Sequence, residues 1–318
     1  MTQATTPPTQ DPARHATRTA TPSGPVRSGP AAGSAAPSSY PPVPTDADRA
    51  ANRAAAEYPR SLTMRIKRCD GPGKLSYWQT FSVPVTMPGA NVISCLREIA
   101  SRPVTDEGQK TTPVVWDSGC LEEVCGSCTM VINGKVRQSC SCLIDEYAPR
   151  DGDQMTLEPM SKFPVIRDLW VDRERLFYNL RRVKAWVPID STYSFGPGPT
   201  EQPDHQLTRY ELSTCMSCGC CLEACPQFNL EPDPDTWDHA FLGAHAISQA
   251  RLFNEHETGK ALKKDRLDEL MGPGGVNDCG NAQNCVKVCP KSIPLTESIA
   301  AMGRATTIHA FARFFQSD

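Results

Sequence analysis

Cys215-Met-Ser-Cys218-Gly-Cys-Cys221-Leu-Glu-Ala-Cys225-Pro226 is the stretch on which the fold of this chain turns. Its pattern, C-x2-C-x2-C-x3-C-P, puts three thiolates on one [4Fe–4S] cluster and sends the fourth to a second cluster. Cys220 interrupts the run at the wrong offset and reads as a bystander. A second run must receive Cys225, and it follows at Cys279-Gly-Asn-Ala282-Gln-Asn-Cys285-Val-Lys-Val-Cys289-Pro290. There the second cysteine is replaced by Ala282. Exchange of the fourth ligands gives Cys215, Cys218, Cys221 and Cys289 to a complete [4Fe–4S] site and leaves Cys225, Cys279 and Cys285 at the other. Alanine cannot bind iron. The spacing therefore predicts a [3Fe–4S] cluster there, unless water or a non-cysteine ligand fills the open corner.

Upstream lies Cys120-Leu-Glu-Glu-Val-Cys125-Gly-Ser-Cys128, with Cys140 beyond it. C-x4-C-x2-C with a distant fourth cysteine is the plant-type spacing for a [2Fe–2S] cluster. Such a loop must converge its thiolates while turning backbone N–H groups towards the sulfur, a path that Gly119 and Gly126 can follow without a Cβ. Cys142 competes with Cys140 for the fourth position. A four-thiolate zinc site is the bland alternative, but x4 and x2 spacings in one loop suit zinc poorly. Cys69, Cys95, Cys142 and Cys220 then remain as small core residues.

The surrounding sequence divides into three. Ten of the 29 prolines fall in the first 50 residues, among Ala, Thr, Ser and Gly, so residues 1–60 are expected to be a disordered extension. Its slight basic bias is that of a transit peptide, but it lacks an amphipathic arginine helix, and only Ala47–Glu57 looks helical. Residues 61–160 alternate as strands do: Leu62, Met64 and Ile66, then Phe81, Val83 and Val85, with Pro84 placing the second strand at an edge. Asn91 caps a helix through Val92, Ile93, Leu96 and Ile99. Asn133-Gly134 turns a hairpin between Thr129–Ile132 and Lys135–Gln138, and a strand near Met155–Glu158 closes the unit. Residues 161–318 read as helical, with helices over Leu169–Val183, Trp237–His256, Lys264–Met271 and Thr296–Phe314.

Composition narrows the function. A net charge of −3 over 318 residues argues against a dedicated nucleic-acid binder. No stretch is apolar enough to span a bilayer, and Met1-Thr-Gln-Ala-Thr-Thr-Pro-Pro lacks a signal-peptide core. Fifteen cysteines, an odd number, favour metal or redox chemistry over a disulfide framework. The six histidines (His15, His205, His239, His245, His256 and His309) form no ligand pair, and His245 and His256 read as ordinary helix residues. No nucleotide-binding glycine motif and no nucleophile–base arrangement is present, so no catalytic residue is assigned. The chain reads as an electron carrier.

Over residues 61–318 the chain resembles the iron–sulfur subunits of succinate dehydrogenase and fumarate reductase. The resemblance rests on the Cys120–Cys128 loop, Pro164-Val-Ile-Arg-Asp168, and both Cys-Pro runs with Ala282 in the gap. It implies an α+β fold: an N-terminal β-grasp, ferredoxin-like [2Fe–2S] domain, then an all-α domain carrying the two-cluster motifs. It makes Cys140, rather than Cys142, the fourth [2Fe–2S] ligand beside Cys120, Cys125 and Cys128. It implies electron transfer from a flavoprotein subunit with covalent FAD, through three clusters, to a haem-bearing cytochrome b anchor and quinone. The chain alone would turn over no substrate. Leu121-Glu-Glu-Val124, Thr214-Cys-Met, Leu222-Glu-Ala-Cys-Pro226 and Asn277-Asp-Cys-Gly-Asn-Ala-Gln-Asn284 look most like the menaquinone branch, with a di-haem anchor. The ubiquinone branch carries Trp and His where Asn229-Leu230 and Gly280 stand here. By the same resemblance the subunit sits peripherally on the cytoplasmic face of a bacterial inner membrane. Fumarate reduction is the reverse reading. More distant alternatives are a zinc-based interaction protein and the electron-transfer subunit of another flavin oxidoreductase.

Overall fold

Alternation of apolar side chains builds the first lobe. In the computed structural model, which describes residues 45–188 and 202–316, helix α1 (Asp46–Ala55) precedes strands β1 (Arg60–Arg68) and β2 (Tyr77–Val85). Helix α2 (Val92–Ser101) follows, capped by Asn91 as expected, with the Ser94 hydroxyl completing a capping box. Then come β3 (Thr129–Ile132), β4 (Lys135–Gln138), α3 (Ile144–Tyr147) and β5 (Gln154–Glu158). The sheet order is β2-β1-β5-β3-β4, so the Pro84 strand does lie at an edge. β1 pairs antiparallel with β2 and parallel with β5, bringing Met64 opposite both Phe81 and Met155. Val92, Leu96 and Ile99 of α2 cover these residues, giving the β-grasp arrangement of a mixed sheet with one helix across it. Asn133 and Gly134 both have positive φ, as the tight hairpin requires.

The expectations for residues 1–44, including His15, lie outside the described residues. α1 docks on the sheet lobe: Asn52 Nδ2 donates to the Glu146 carbonyl at 2.8 Å, and Arg53 pairs with the Glu146 carboxylate at 3.1 Å.

The second lobe is mainly helical but opens on a small hairpin, β6 (Val165–Arg167) and β7 (Trp170–Val171). This corrects the expected helix over Leu169–Val183. Asp168 has φ +48° and turns the chain, and α4 (Glu174–Arg182) begins only after Asp172 accepts from the Glu174 N–H. Helix α5 (Pro203–Ser213) was not anticipated, although Pro203 at its first position is a start signal. Short α6 (Cys220–Glu223) is followed by α7 (Gly243–Glu255), which starts later than expected because Gly243 sits at φ +82°. α8 (Lys263–Met271), short α9 (Asn284–Lys287) and α10 (Leu295–Gln316) complete the order. Among the described residues no helix is long and apolar enough to cross a membrane.

The Pro164–Asp168 segment joins the lobes through buried charge. Arg68 and Asp168, both fully buried, make two bonds, Nε to Oδ1 at 2.7 Å and Nη2 to Oδ2 at 3.1 Å. The same carboxylate accepts from the backbone N–H groups of Cys69 and Val115. Glu223 of α6 accepts from Ser161 and Lys162, pinning the chain where it enters the second lobe.

Candidate iron–sulfur sites

The Cys120–Cys128 loop is shaped by left-handed residues. Leu121, Glu123 and Gly126 all have positive φ, which turns successive N–H groups inward as in an anion-binding nest. Glu122, Val124 and Cys125 each donate their backbone N–H to Cys120 Sγ at 3.3 Å, and Cys120 N–H approaches Cys125 Sγ at 3.4 Å. Burial raises the Cys125 pKa, but N–H groups of Cys120 and Ser127 and the Ser127 hydroxyl outweigh it and bring it down to about 6. A Cβ on Gly119 would lie 3.1 Å from Cys125 Sγ, so a glycine fits there. This is a cradle for thiolate and sulfide sulfur.

Cys128 and Cys140 meet across the β3–β4 hairpin, close enough that the Cys140 N–H and thiol both bear on the Cys128 thiol, which burial pushes up to about 12. Cys142 points elsewhere. It is buried beside Arg137, and burial pushes its thiol up to about 12. Cys69 and Cys95 are likewise core residues, as expected of them.

In the second lobe the two Cys-Pro runs share one backbone course. Ser217 and Gly219, both with positive φ, flank Cys218; Asn281 and Gln283, also with positive φ, flank Ala282. Each course then enters a one-turn helix, α6 or α9, carrying Cys221 or Cys285, and ends at Cys225-Pro226 or Cys289-Pro290. Ala282 thus occupies the place that Cys218 holds in the other run.

Two separate cavities result. Cys215, Cys218, Cys221 and Cys289 line one together with Cys220, and Cys225, Cys279, Cys285 and Ala282 line the other. Asn284 Nδ2 donates to the Ala224 carbonyl at 3.1 Å and ties the runs together. Among the described residues no three His, Cys, Asp or Glu side chains are placed to hold a single metal ion. A zinc site needs four ligands about 2.0–2.3 Å from one point, whereas cluster ligands stand around a larger core. The donor sets fit clusters.

Two residues near the cavities carried no sequence signal. Gln138 Nε2 donates to Cys220 Sγ at 3.2 Å and to Thr129 Oγ1 at 3.1 Å, so Cys220 anchors one ligand loop to the other. His245, expected to be an ordinary helix residue, is buried in the lining of the first cavity, and burial lowers its pKa to about 4. His256 instead caps a turn, accepting from Thr258 and Gly259, and His309 pairs with Asp268.

Comparison with known proteins agrees with this geometry. Residues 63–178 match the model of a 2Fe-2S iron-sulfur cluster binding domain, and residues 211–293 that of a 4Fe-4S dicluster domain. The succinate dehydrogenase iron-sulfur subunit of Bacillus subtilis is 51% identical over 259 residues, covering 81% of this chain and 98% of the relative. The chain belongs to the family of succinate dehydrogenase and fumarate reductase iron–sulfur subunits. Fumarate reductase iron-sulfur subunits are more distant members, such as that of Mycobacterium tuberculosis, 30% identical over 74% of this chain and 88% of its own. A chain of the Mycobacterium smegmatis Sdh1 complex in the apo form shares the fold, with a TM-score of 0.63 at 20% identity over 80% of this chain and 98% of its own. As a member of this family the chain is the electron-transfer subunit of a succinate dehydrogenase complex, with [2Fe–2S], [4Fe–4S] and [3Fe–4S] clusters as cofactors.

Proposed function

We propose that the ligand sets are Cys120, Cys125, Cys128 and Cys140 for [2Fe–2S]; Cys215, Cys218, Cys221 and Cys289 for [4Fe–4S]; and Cys225, Cys279 and Cys285 for [3Fe–4S]. The domains would span 61–160 and 161–318. The clusters, when bound, supply one-electron carriage, and the chain's own residues set their spacing. The observation that carries this reading is the contact between ligand loops. Gly126, between two [2Fe–2S] ligands, packs directly against the backbone of Cys218, and its carbonyl accepts from Thr129 Oγ1 and Arg173 Nη1. Such contact leaves no water layer between the two sites.

In the same reading the partners are an FAD-bearing flavoprotein and a quinone-reactive cytochrome b anchor, which holds this subunit against the cytoplasmic face of the membrane. Cys120 is exposed and Val124 is 60% exposed, so the first ligand loop is open to a flavoprotein. The menaquinone-type, di-haem character of that anchor rests on the sequence resemblance alone. At the position where the ubiquinone branch carries a histidine this chain has Gly280, and the free end of the Gln227 side chain occupies the adjoining space, 2.6 Å from where a Cβ would stand.

Purification of the native complex tests this. Co-purification with a covalent flavoprotein and two haems per anchor, with menaquinone as the active acceptor, is expected. A haem-free anchor would overturn the di-haem reading, and exclusive use of ubiquinone would overturn the menaquinone reading. Succinate oxidation by the isolated chain would overturn its role as a carrier only.

A further inference from the structure

His245 has no task in the ligand sets, yet it is 2% exposed and lines the cavity of Cys215, Cys218, Cys221 and Cys289. Its Nε2 lies 3.1 Å from Ser217 Oγ, and its Nδ1 is buried without a partner. Ser217, held at φ +51°, stands beside Cys215, where its backbone N–H and hydroxyl oppose the rise that burial imposes on that thiol. A hydroxyl has one proton. If Ser217 donates it to Cys215 Sγ, the oxygen must accept from His245, which fixes the Nε2–H tautomer. The unpaired Nδ1 is then a bare acceptor, a smaller penalty than a buried orphan N–H.

We propose that His245 is a positioning residue of the [4Fe–4S] site, its Nε2–H holding the Ser217 hydroxyl on the Cys215 thiolate and thereby raising the cluster's midpoint potential. This rests on Cys215 being a [4Fe–4S] ligand. The physical basis is that reduction adds negative charge to the cluster and its thiolates, and a donor aimed at sulfur stabilises the more negative state. Left without His245, the serine hydroxyl is free to rotate from Cys215 towards backbone carbonyls. The relay couples helix α7 to a ligand that it does not itself supply.

The test is redox potentiometry followed by EPR on the intact complex, for Ser217→Ala, His245→Leu and the double variant. Both single variants should shift the [4Fe–4S] midpoint negative, and the double variant should shift it no further than Ser217→Ala, because the residues act in series. The [2Fe–2S] midpoint in the same samples should stay in place. If His245→Leu loses the cluster, His245→Gln and His245→Asn decide instead. Glutamine carries its amide to the Nε2 position and should keep the wild-type midpoint, while asparagine reaches only the Nδ1 position and should not. An unchanged midpoint in His245→Leu, additive shifts in the double variant, or rescue by asparagine rather than glutamine would each overturn the relay. A shift of the [3Fe–4S] midpoint in Ser217→Ala would instead overturn the assignment of Cys215, and the relay with it.

Discussion

Gly126 lies against Cys218 so closely that a Cβ on the glycine would fall 2.6 Å from the cysteine Cα and 2.8 Å from its Cβ. The glycine also holds φ +71°, where an L-residue is strained. Two ligand loops from different lobes therefore touch because one side chain is absent.

Gly126→Ala should push these loops apart, since neither backbone can yield without moving a ligand. The left-handed conformation alone costs an alanine roughly 1–2 kcal/mol. The expected outcome is full [2Fe–2S] content with slower reduction of the [4Fe–4S] cluster, read by freeze-quench EPR after a succinate pulse. An unchanged rate would mean that the contact is not the route between the sites.

Asp168 supports the lobe junction from beneath. Asp168→Ala leaves the Arg68 guanidinium buried and two backbone N–H groups without their acceptor. Removing one partner of such a pair costs roughly 3–5 kcal/mol. Denaturant unfolding followed by the visible circular dichroism of the [2Fe–2S] chromophore should show a lower midpoint. A loss below about 0.5 kcal/mol, the range of ordinary surface substitutions, would contradict this role.

Cys140 and Cys142 should behave differently although one residue separates them. Cys142 is packed beside Arg137 and away from Cys128, so Cys142→Ala is expected to retain the reduced [2Fe–2S] EPR signal. Cys140→Ala should lose or transform it. The reverse result would exchange their roles.

Much of this was legible in the chain because cysteine spacing acts locally. A ligand loop reads the same in sequence as in space, and Asn133-Gly134, Pro84 and Asn91 each enforce their backbone by local sterics or capping. Strands β6 and β7 are not legible in the chain because runs of three and two residues carry no periodicity, and the left-handed turn at Asp168 is stabilised by Arg68, far away in sequence. The same holds for Gln138 and His245, and for the packing of Gly126 on Cys218. Their parts depend on which lobe or helix folds back against them, and spacing along the chain contains no record of that.

Ala282 bears most directly on the whole account, because it stands where Cys218 stands in the companion run and lines the cavity of Cys225, Cys279 and Cys285. Ala282→Cys adds a single sulfur at a position whose backbone already matches a ligand, so overpacking should be small. An oxidised [3Fe–4S] centre holds three ferric ions and an odd number of unpaired electrons, and is paramagnetic. An oxidised [4Fe–4S] centre couples its two ferric and two ferrous ions to silence. EPR of the fully oxidised complex should therefore show a signal in the wild type that disappears in Ala282→Cys as the chain gains an iron. An oxidised wild type without that signal, or a variant that keeps it at unchanged iron content, would contradict the three-thiolate site.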